Sequence, residues 1–315
     1  MKRTKTFQKA TAILTADMEL RNTVPICRTD DFMKTQERKI AWLVDLQKKH
    51  ECPILDGGDL FDKRMKQHPS HLFIAWAIAN LPRPIYTIPG NHDLPGKSLA
   101  NYANSAMNVM QQAGVVSGHE GIIIQPPEDH IVQILLHRYP WGVEIKPPPV
   151  FNEYSYNVAL LHALVYDGTK PFPECEGWEK EDLLDVLEGF DLIVCGDHHA
   201  TFTGKRGKTL LVNPGSLMRN DADQIDHKPC VFLWYAKEGR VVPEYVPIEQ
   251  GVITREHIDE KIHSDNRLSA FVEKLGQQVM SGINFEKNLQ NLLIKNVSQG
   301  IINKVWEYYE KERRA

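Results

Sequence analysis

The chain has few cysteines for its length, and none stands in a C-x-x-C pair. Cys27, Cys52, Cys175, Cys195 and Cys230 are scattered and odd in number, which argues against a disulfide framework or a cysteine-rich zinc site. It has no apolar run near the roughly 20 residues that span a bilayer. It has no excess of basic charge either: 37 Lys and Arg face 41 Asp and Glu, a net charge of −4. Any contact with nucleic acid must therefore come from a local patch. Repeats and low-complexity stretches are absent, which excludes solenoids, rods and collagen-like polymers. The start, Met1-Lys2-Arg3-Thr4-Lys5, is basic but no secretory apolar core follows, so a cytoplasmic location is expected.

What is present is a core of ordinary size: 315 residues, 42% hydrophobic and 25% charged. Thr11 to Thr15 reads as a strand, and Gln36 to Lys49 as a helix with Ile40, Leu43 and Val44 on one face. Cys52 to Leu55 is a strand, His71 to Asn80 a helix and Ile85 to Ile88 a strand. After Gly114 come mainly strands: Gly121 to Ile124, Ile131 to His137, Val158 to Leu161, Leu192 to Cys195, Leu210 to Val212 and Val231 to Tyr235. One helix, Glu179 to Glu188, interrupts them. The alternation predicts an α/β fold: a two-layered β-sandwich core flanked by helices, over residues 1–250.

No proline follows Pro247, and 251–315 is expected to be a small helical C-terminal extension. Ser264-Asp265 is placed to cap one helix running to Gly276, and a second begins near Asn284. In the second, Leu289, Leu293, Val297, Ile301 and Val305 recur every four residues and Leu292 widens the stripe.

Polar clusters sit where the strands end. They are Asp17-Met18-Glu19, Gly58-Asp59, Gly90-Asn91-His92-Asp93 and Gly196-Asp197-His198-His199, and the run Leu160-Leu161 delivers His162. Binding crevices of α/β sheets form beyond the carboxyl ends of strands, so clusters far apart in sequence can converge. Each alone is a turn or a hydrogen-bonded histidine. Together they order carboxylates, amide and imidazoles as metal donors.

This order resembles the calcineurin-like metallophosphoesterase superfamily, whose pattern is D-x-H, G-D-x-x-D, G-N-H-D/E, a single H, and G-H-x-H. Gly58-Asp59-Leu60-Phe61-Asp62 and Gly90-Asn91-His92-Asp93 match in full. Pro214-Gly215-Ser216-Leu217-Met218-Arg219 resembles the P-G-S-x-x-R loop of SbcD-like DNA repair nucleases. The stretches around Asp17 to Arg21 and Cys27 to Asp30 resemble phage-encoded members, for which the location would be the host cytoplasm. Two positions depart from the pattern: Glu19 and Asp197 stand where the family has histidine.

The resemblance implies two divalent metal ions. One would be held by Asp17, Glu19, Asp59 and His199, the other by Asp59, Asn91, His162 and Asp197, with Asp59 bridging. Replacing two imidazoles by carboxylates adds negative charge and favours Mn²⁺ or Mg²⁺ over Zn²⁺. His198 is a substitute ligand if its loop shifts by one residue. His92 is the candidate acid for the leaving oxygen, Asp93 would fix its tautomer, and Asp62 would brace its own loop. Arg21, Arg28 and Arg219 are candidates for substrate phosphates. His137 is expected in the core.

The implied activity is a metal-dependent phosphodiesterase, first of all a DNA nuclease, exonuclease or endonuclease. The alternatives are a metallophosphatase acting on a small phosphoester or phosphoprotein, and a non-catalytic scaffold with an altered metal site. Implied partners are DNA and an SbcC-like ABC-type ATPase. The C-terminal stripe could serve docking, a homodimer or its own packing; no membrane contact is expected.

Overall fold

The computed structural model describes residues 7–62, 69–118, 121–124, 132–148, 150–258, 289, 293 and 298–313. The chain divides into two compact units, Met1–Ile253 and Thr254–Ala315. The first begins with β1 (Ala12–Thr15), α1 (Phe32–His50), β2 (Ile54–Asp56), α2 (His71–Asn80), β3 (Ile85–Tyr86), α3 (Ala106–Gln112) and β4 (Val116–Ser117). There follow β5 (Gly121–Ile124), β6 (Val132–Tyr139), β7 (Tyr156–His162), β8 (Val165–Tyr166), β9 (Trp178–Glu179), α4 (Lys180–Val186) and β10 (Leu192–Gly196). The last strands are β11 (Phe202–Arg206), β12 (Thr209–Asn213), β13 (Cys230–Tyr235) and β14 (Arg240–Tyr245).

Two six-stranded sheets result, in the orders β14-β13-β1-β2-β3-β4 and β11-β12-β10-β7-β6-β5. In the first, β1 runs parallel to β2 with Ile13 opposite Ile54, and antiparallel to β13. In the second, β10 lies parallel between β7 and β12.

The period of two along each strand explains the layering. Ala12 and Leu14 of β1 pack with Leu55, Val158, Leu160, Val194, Val212 and Trp234 in the core between the sheets. Ile13, between them in sequence, packs the other way, with Ile40 and Leu43 of α1 and Phe73 of α2. On the far side Leu161, Ile193 and Leu211 meet Leu183 and Leu184 of α4. Strands buried on both faces read as continuous apolar runs, as these do. The architecture is the expected α/β one, a β-sandwich flanked by helices.

Helix α1 begins four residues before the apolar period suggests. The Asp31 side chain accepts from the Lys34 amide and caps it there, and Lys48, Lys49 and His50 occupy its last turn. All five cysteines are buried and unpaired by disulfides.

In the second unit the described helix is Gln299–Arg313. Leu289, Leu293 and Val305 are buried together, with Ile302 and Trp306 against them. The four-residue stripe is not continuous: Ile301 is 51% exposed. Ser298 is non-helical. The expected helix from Ser264 to Gly276, the start near Asn284, and Leu292 and Val297 lie outside the described residues. Among the described residues no helix is long and apolar enough to cross a membrane.

Candidate metal centre

Beyond β1 and β2 the two segments stay zipped together. The amides of Asp17, Glu19 and Leu20 donate to the carbonyls of Gly58, Asp59 and Leu60 at 2.9 Å each. This places the first two polar blocks side by side. The path requires left-handed backbone at non-glycine residues: φ is 46° at Asp17, 45° at Glu19, 55° at Asp59 and 91° at Asp197. Such conformations are unfavourable for residues with a Cβ and gather where function over-determines the backbone.

Asp59 sits at the centre, buried. Its Oδ1 accepts from the His92 amide at 2.8 Å, and its Oδ2 lies 3.2 Å from His162 Nε2. Gly90 permits this closeness, since a Cβ there would fall 2.1 Å from Asp59 Oδ1. The second sheet supplies the opposite wall. His162, the last residue of β7, holds Gly57 O through Nδ1 at 2.8 Å, which aims Nε2 into the crevice. There it also stands 3.7 Å from Asp197 Oδ1. The Asp197 amide donates to Asp17 Oδ1 at 2.9 Å, and Asn91 Nδ2 donates to Asp197 Oδ1 at 3.1 Å. His199 Nε2 is 3.4 Å from Glu19 Oε1. The structure thus brings all seven expected ligands to one crevice.

The donors form two tight groups. One is Asp17, Asp59 and His162; the other is Glu19, Asp62 and His92, each with ligand atoms within 4.8 Å of one another. Glu19 therefore reaches toward Asp62 and His92 as well as toward His199, a grouping the sequence pattern does not suggest. Asn91 Oδ1 is buried without a hydrogen-bond partner, and His162 Nε2 faces the carboxylates of Asp59 and Asp197. Ligand atoms gathered in this way into a nest of carboxylates fit divalent cations.

The electrostatics describe the same need for positive charge. Burial pushes the Asp17 carboxyl up to about 7, although His199 and His162 pull the other way. Burial also opposes ionisation of Asp59, but the adjacent His162 charge outweighs it and holds the carboxyl below its ordinary value. Burial would lower His162, yet Asp59, Asp17 and Asp197 together raise it well above the usual imidazole range.

Around the ligands, several expected roles are redistributed. Asp93 does not fix His92. Its carboxylate accepts from the amides of Gly90 at 3.1 Å, Leu60 at 3.2 Å and Phe61 at 3.2 Å, so it ties the second and third blocks together. Burial, then the Asp59 charge, raise it to about 7. The carboxylate beside His92 is Asp62, 3.5 Å from Nδ1, and Asp62 is itself paired with Arg21 at 2.7 Å. His198 Nδ1 is hydrogen-bonded to Val165 O at 2.7 Å, which anchors this ring to β8, whereas His199 Nε2 is the imidazole nitrogen found beside Glu19. His137 is half-buried and packs edge-on against Phe190, at the margin of the core.

All three arginines named as phosphate candidates are engaged by protein groups here, Arg21 by Asp62 and Thr23. Arg28 is buried, paired with Asp30 at 2.7 Å and 5.0 Å over the Phe32 ring. Arg219 is buried and donates to Ile225 O at 3.2 Å and Glu249 O at 2.7 Å. Arg28 is satisfied by Asp30, and Arg219 by two backbone carbonyls through its terminal nitrogens, with its Nε left without a partner. The loop that carries Arg219 builds the site instead: Leu217 N donates to Asp17 O at 3.0 Å, Ser216 N to His199 O at 3.2 Å, and Asn220 Nδ2 to Glu19 O at 3.2 Å. Asn220 and Lys39, whose Nζ holds Leu217 O at 2.6 Å, are supporting residues with no motif signal of their own.

Residues 36–201 match the family model of the calcineurin-like phosphoesterases. No curated protein sequence matches the chain. Among solved structures it is similar to TT1561 of Thermus thermophilus, with TM-score 0.44 and 15% identity over 76% of this chain and 100% of that one. It is also similar to a dimetal phosphatase from Danio rerio, with TM-score 0.46 and 12% identity over 78% and 98%. An archaeal phosphodiesterase gives TM-score 0.38 and 10% identity over 75% and 99%. The family hydrolyses phosphoester bonds and binds two divalent metals. The match spans more than half of the sequence, and the chain belongs to the calcineurin-like phosphoesterase family.

Proposed function

We propose that the protein is a metal-dependent phosphodiesterase whose substrate is DNA, a nuclease of the SbcD-like type. The observation that carries this reading is the loop from Pro214 to Arg219. It resembles the P-G-S-x-x-R loop of those nucleases, and it is hydrogen-bonded directly to Asp17 and His199. Asp17, Glu19, Asp59 and His199 would hold one cation, and Asp59, Asn91, His162 and Asp197 the other. Bound there, two divalent metals supply a water acidified to hydroxide and polarised phosphoryl oxygens.

The chain's own part is positioning and proton transfer. Asp59 presents its two oxygens in different directions, one braced by the His92 amide and one beside His162. His92 is held through Nδ1 by Asp62, and an imidazole fixed in that way does its proton chemistry at Nε2. Its role is to protonate the leaving oxygen. The oxygen-rich set, with Glu19 and Asp197 in place of two imidazoles, favours Mn²⁺ or Mg²⁺. Residues 1–250 are the catalytic domain. The C-terminal extension packs on its own core, or serves an ABC-type ATPase partner or a second copy of the chain, and the protein works in the cytoplasm.

A metallophosphatase acting on a small phosphoester is the second reading, favoured by the burial of Arg28 and Arg219 away from any extended phosphate track. The test is to incubate the Mn²⁺-loaded protein with end-labelled single- and double-stranded DNA, a generic aryl phosphodiester and a phosphomonoester. Cleavage of DNA that falls steeply with added salt is expected. Robust monoester hydrolysis with DNA untouched would replace the nuclease by the phosphatase.

A further inference from the structure

A second feature adjoins the crevice and is used by none of the roles above. Directly after His162 the chain passes Ala163 and Leu164 into a pocket of about 610 Å³, whose lining also includes Trp141, Ile145 and Trp178. His162 is itself among the lining residues, which joins the pocket to the metal centre. This volume is in the range of small-ligand sites.

The walls are fixed by backbone bonds to the elements that build the metal centre. Trp141 N donates to Pro89 O at 3.0 Å, immediately before Gly90 and Asn91. The Trp141 ring stands edge-on to His162, with centroids 6.3 Å apart and planes at 68°. Trp178 N donates to Leu164 O at 2.8 Å, and Gly177 lets the strands close, since a Cβ there would lie 2.6 Å from that oxygen. Two indoles on a rigid frame offer flat apolar surface at little cost in conformational entropy.

The charge of the lining selects the occupant. Glu144 and Glu176 line the pocket, and Glu144 is paired with Lys146 at 3.1 Å. Carboxylates repel a second phosphate but accept from ring N–H and amino groups. A flat, neutral group rich in N–H donors, attached to a phosphate lying over the metal centre, answers every part of this description. We infer that the Trp141–Trp178 pocket receives the nucleobase of the nucleotide whose phosphate is at the metal centre, so that the substrate is recognised as a nucleotide and not only as a phosphodiester. The inference rests on the phosphodiesterase reading for its orientation. Stacking on tryptophan tolerates any base, so selectivity for sequence is not expected.

The test compares adenosine 5′-monophosphate with ribose 5-phosphate by calorimetry on the Mn²⁺-loaded protein. The nucleotide should bind at least about tenfold tighter, and Trp141→Ala should collapse that ratio by about tenfold. Trp141→Phe should largely restore it. Trp178→Ala, remote from the ligands in sequence, should move the ratio in the same direction, which guards against loss of metal in the Trp141 variant. Equal affinities for the two compounds would overturn the inference, as would an unchanged ratio in both alanine variants. A second arm measures cleavage of the p-nitrophenyl ester of thymidine 5′-monophosphate against methyl p-nitrophenyl phosphate. A base-dependent affinity ratio with neither diester cleaved would sink the phosphodiesterase reading and leave the pocket standing. Cleavage of both at equal kcat/KM, shifted alike by the variants, would sink the pocket and leave the phosphodiesterase.

Discussion

The Asp62 carboxylate lies 3.5 Å from His92 Nδ1, while Asp93, the residue that follows His92 in sequence, turns away and binds three backbone amides. Asp62 is in turn steadied by Arg21 at 2.7 Å. Asp62→Asn keeps the shape but loses the charge that orients the ring. We expect kcat to fall about 10–100-fold with little change in KM, as is usual when the partner of a functional histidine is removed. Steady-state kinetics at constant metal content checks this. A change confined to KM would assign Asp62 to substrate binding.

Metal binding and turnover should separate in two variants. Asp59→Ala removes the central carboxylate and should lose both metal and activity. His92→Ala should keep its metal while losing about 10²–10⁴-fold in rate, the usual worth of a general acid. Metal per chain is read by elemental analysis. Equal metal loss in both would make His92 a ligand, alongside Glu19 and Asp62. In the same assays Mn²⁺ should restore the stripped protein better than Zn²⁺, given the carboxylate-rich donors.

Arg219→Ala tests the buried arginine. Because its buried side chain holds Ile225 O and Glu249 O, the variant should lose two hydrogen bonds and the packing of the buried stem, about 1–3 kcal/mol of stability in denaturant unfolding. Cleavage of DNA and of a small diester should fall together. A selective loss on DNA would instead give Arg219 a phosphate contact.

Lys39 gives a pH dependence with a definite sign. Burial, then the charges of Arg28 and Arg219, lower its amine to about 7 from 10.5. The folded chain therefore favours the neutral amine. Between pH about 7 and 10.5 the unfolded chain holds the extra proton, so this group makes stability rise with pH through that window, by at most about 1.4 kcal/mol per unit. Below it, both states are protonated and the contribution is flat. Lys39→Met should remove that slope in urea unfolding measured across the window. Identical slopes in both proteins would mean that Lys39 remains charged when folded.

The polar blocks were legible because their signal is local. An apolar run, a glycine turn and a donor residue occupy a few consecutive positions, as in Leu55 to Asp59 and Val194 to His199. The strands themselves were legible for the same reason, being buried on both faces. Elements whose pattern is weak were not: α3 at Ala106–Gln112, β11 at Phe202–Arg206 and the edge strand β14 at Arg240–Tyr245 depend on neighbours more than on their own periodicity.

By itself the sequence determined the order of donors, the α/β class and the presence of an apolar stripe from Leu289. Tertiary structure decided which carboxylate serves which partner. The sequence points to Asp93 as the partner of His92 and to Asp62 as a brace for its own loop, and only the path of the loop after Phe61 exchanges them, setting Asp62 against His92 and Asp93 against amides. Arg28 and Arg219 carry charge that sequence assigns to solvent or phosphate, and only the fold buries them on Asp30 and on carbonyls. The contact of Asp197 with Asp17 joins residues 180 positions apart across two sheets. Sequence spacing cannot encode that meeting, because it arises from how the sheets stack and from strained backbone that only the surrounding core can hold in place.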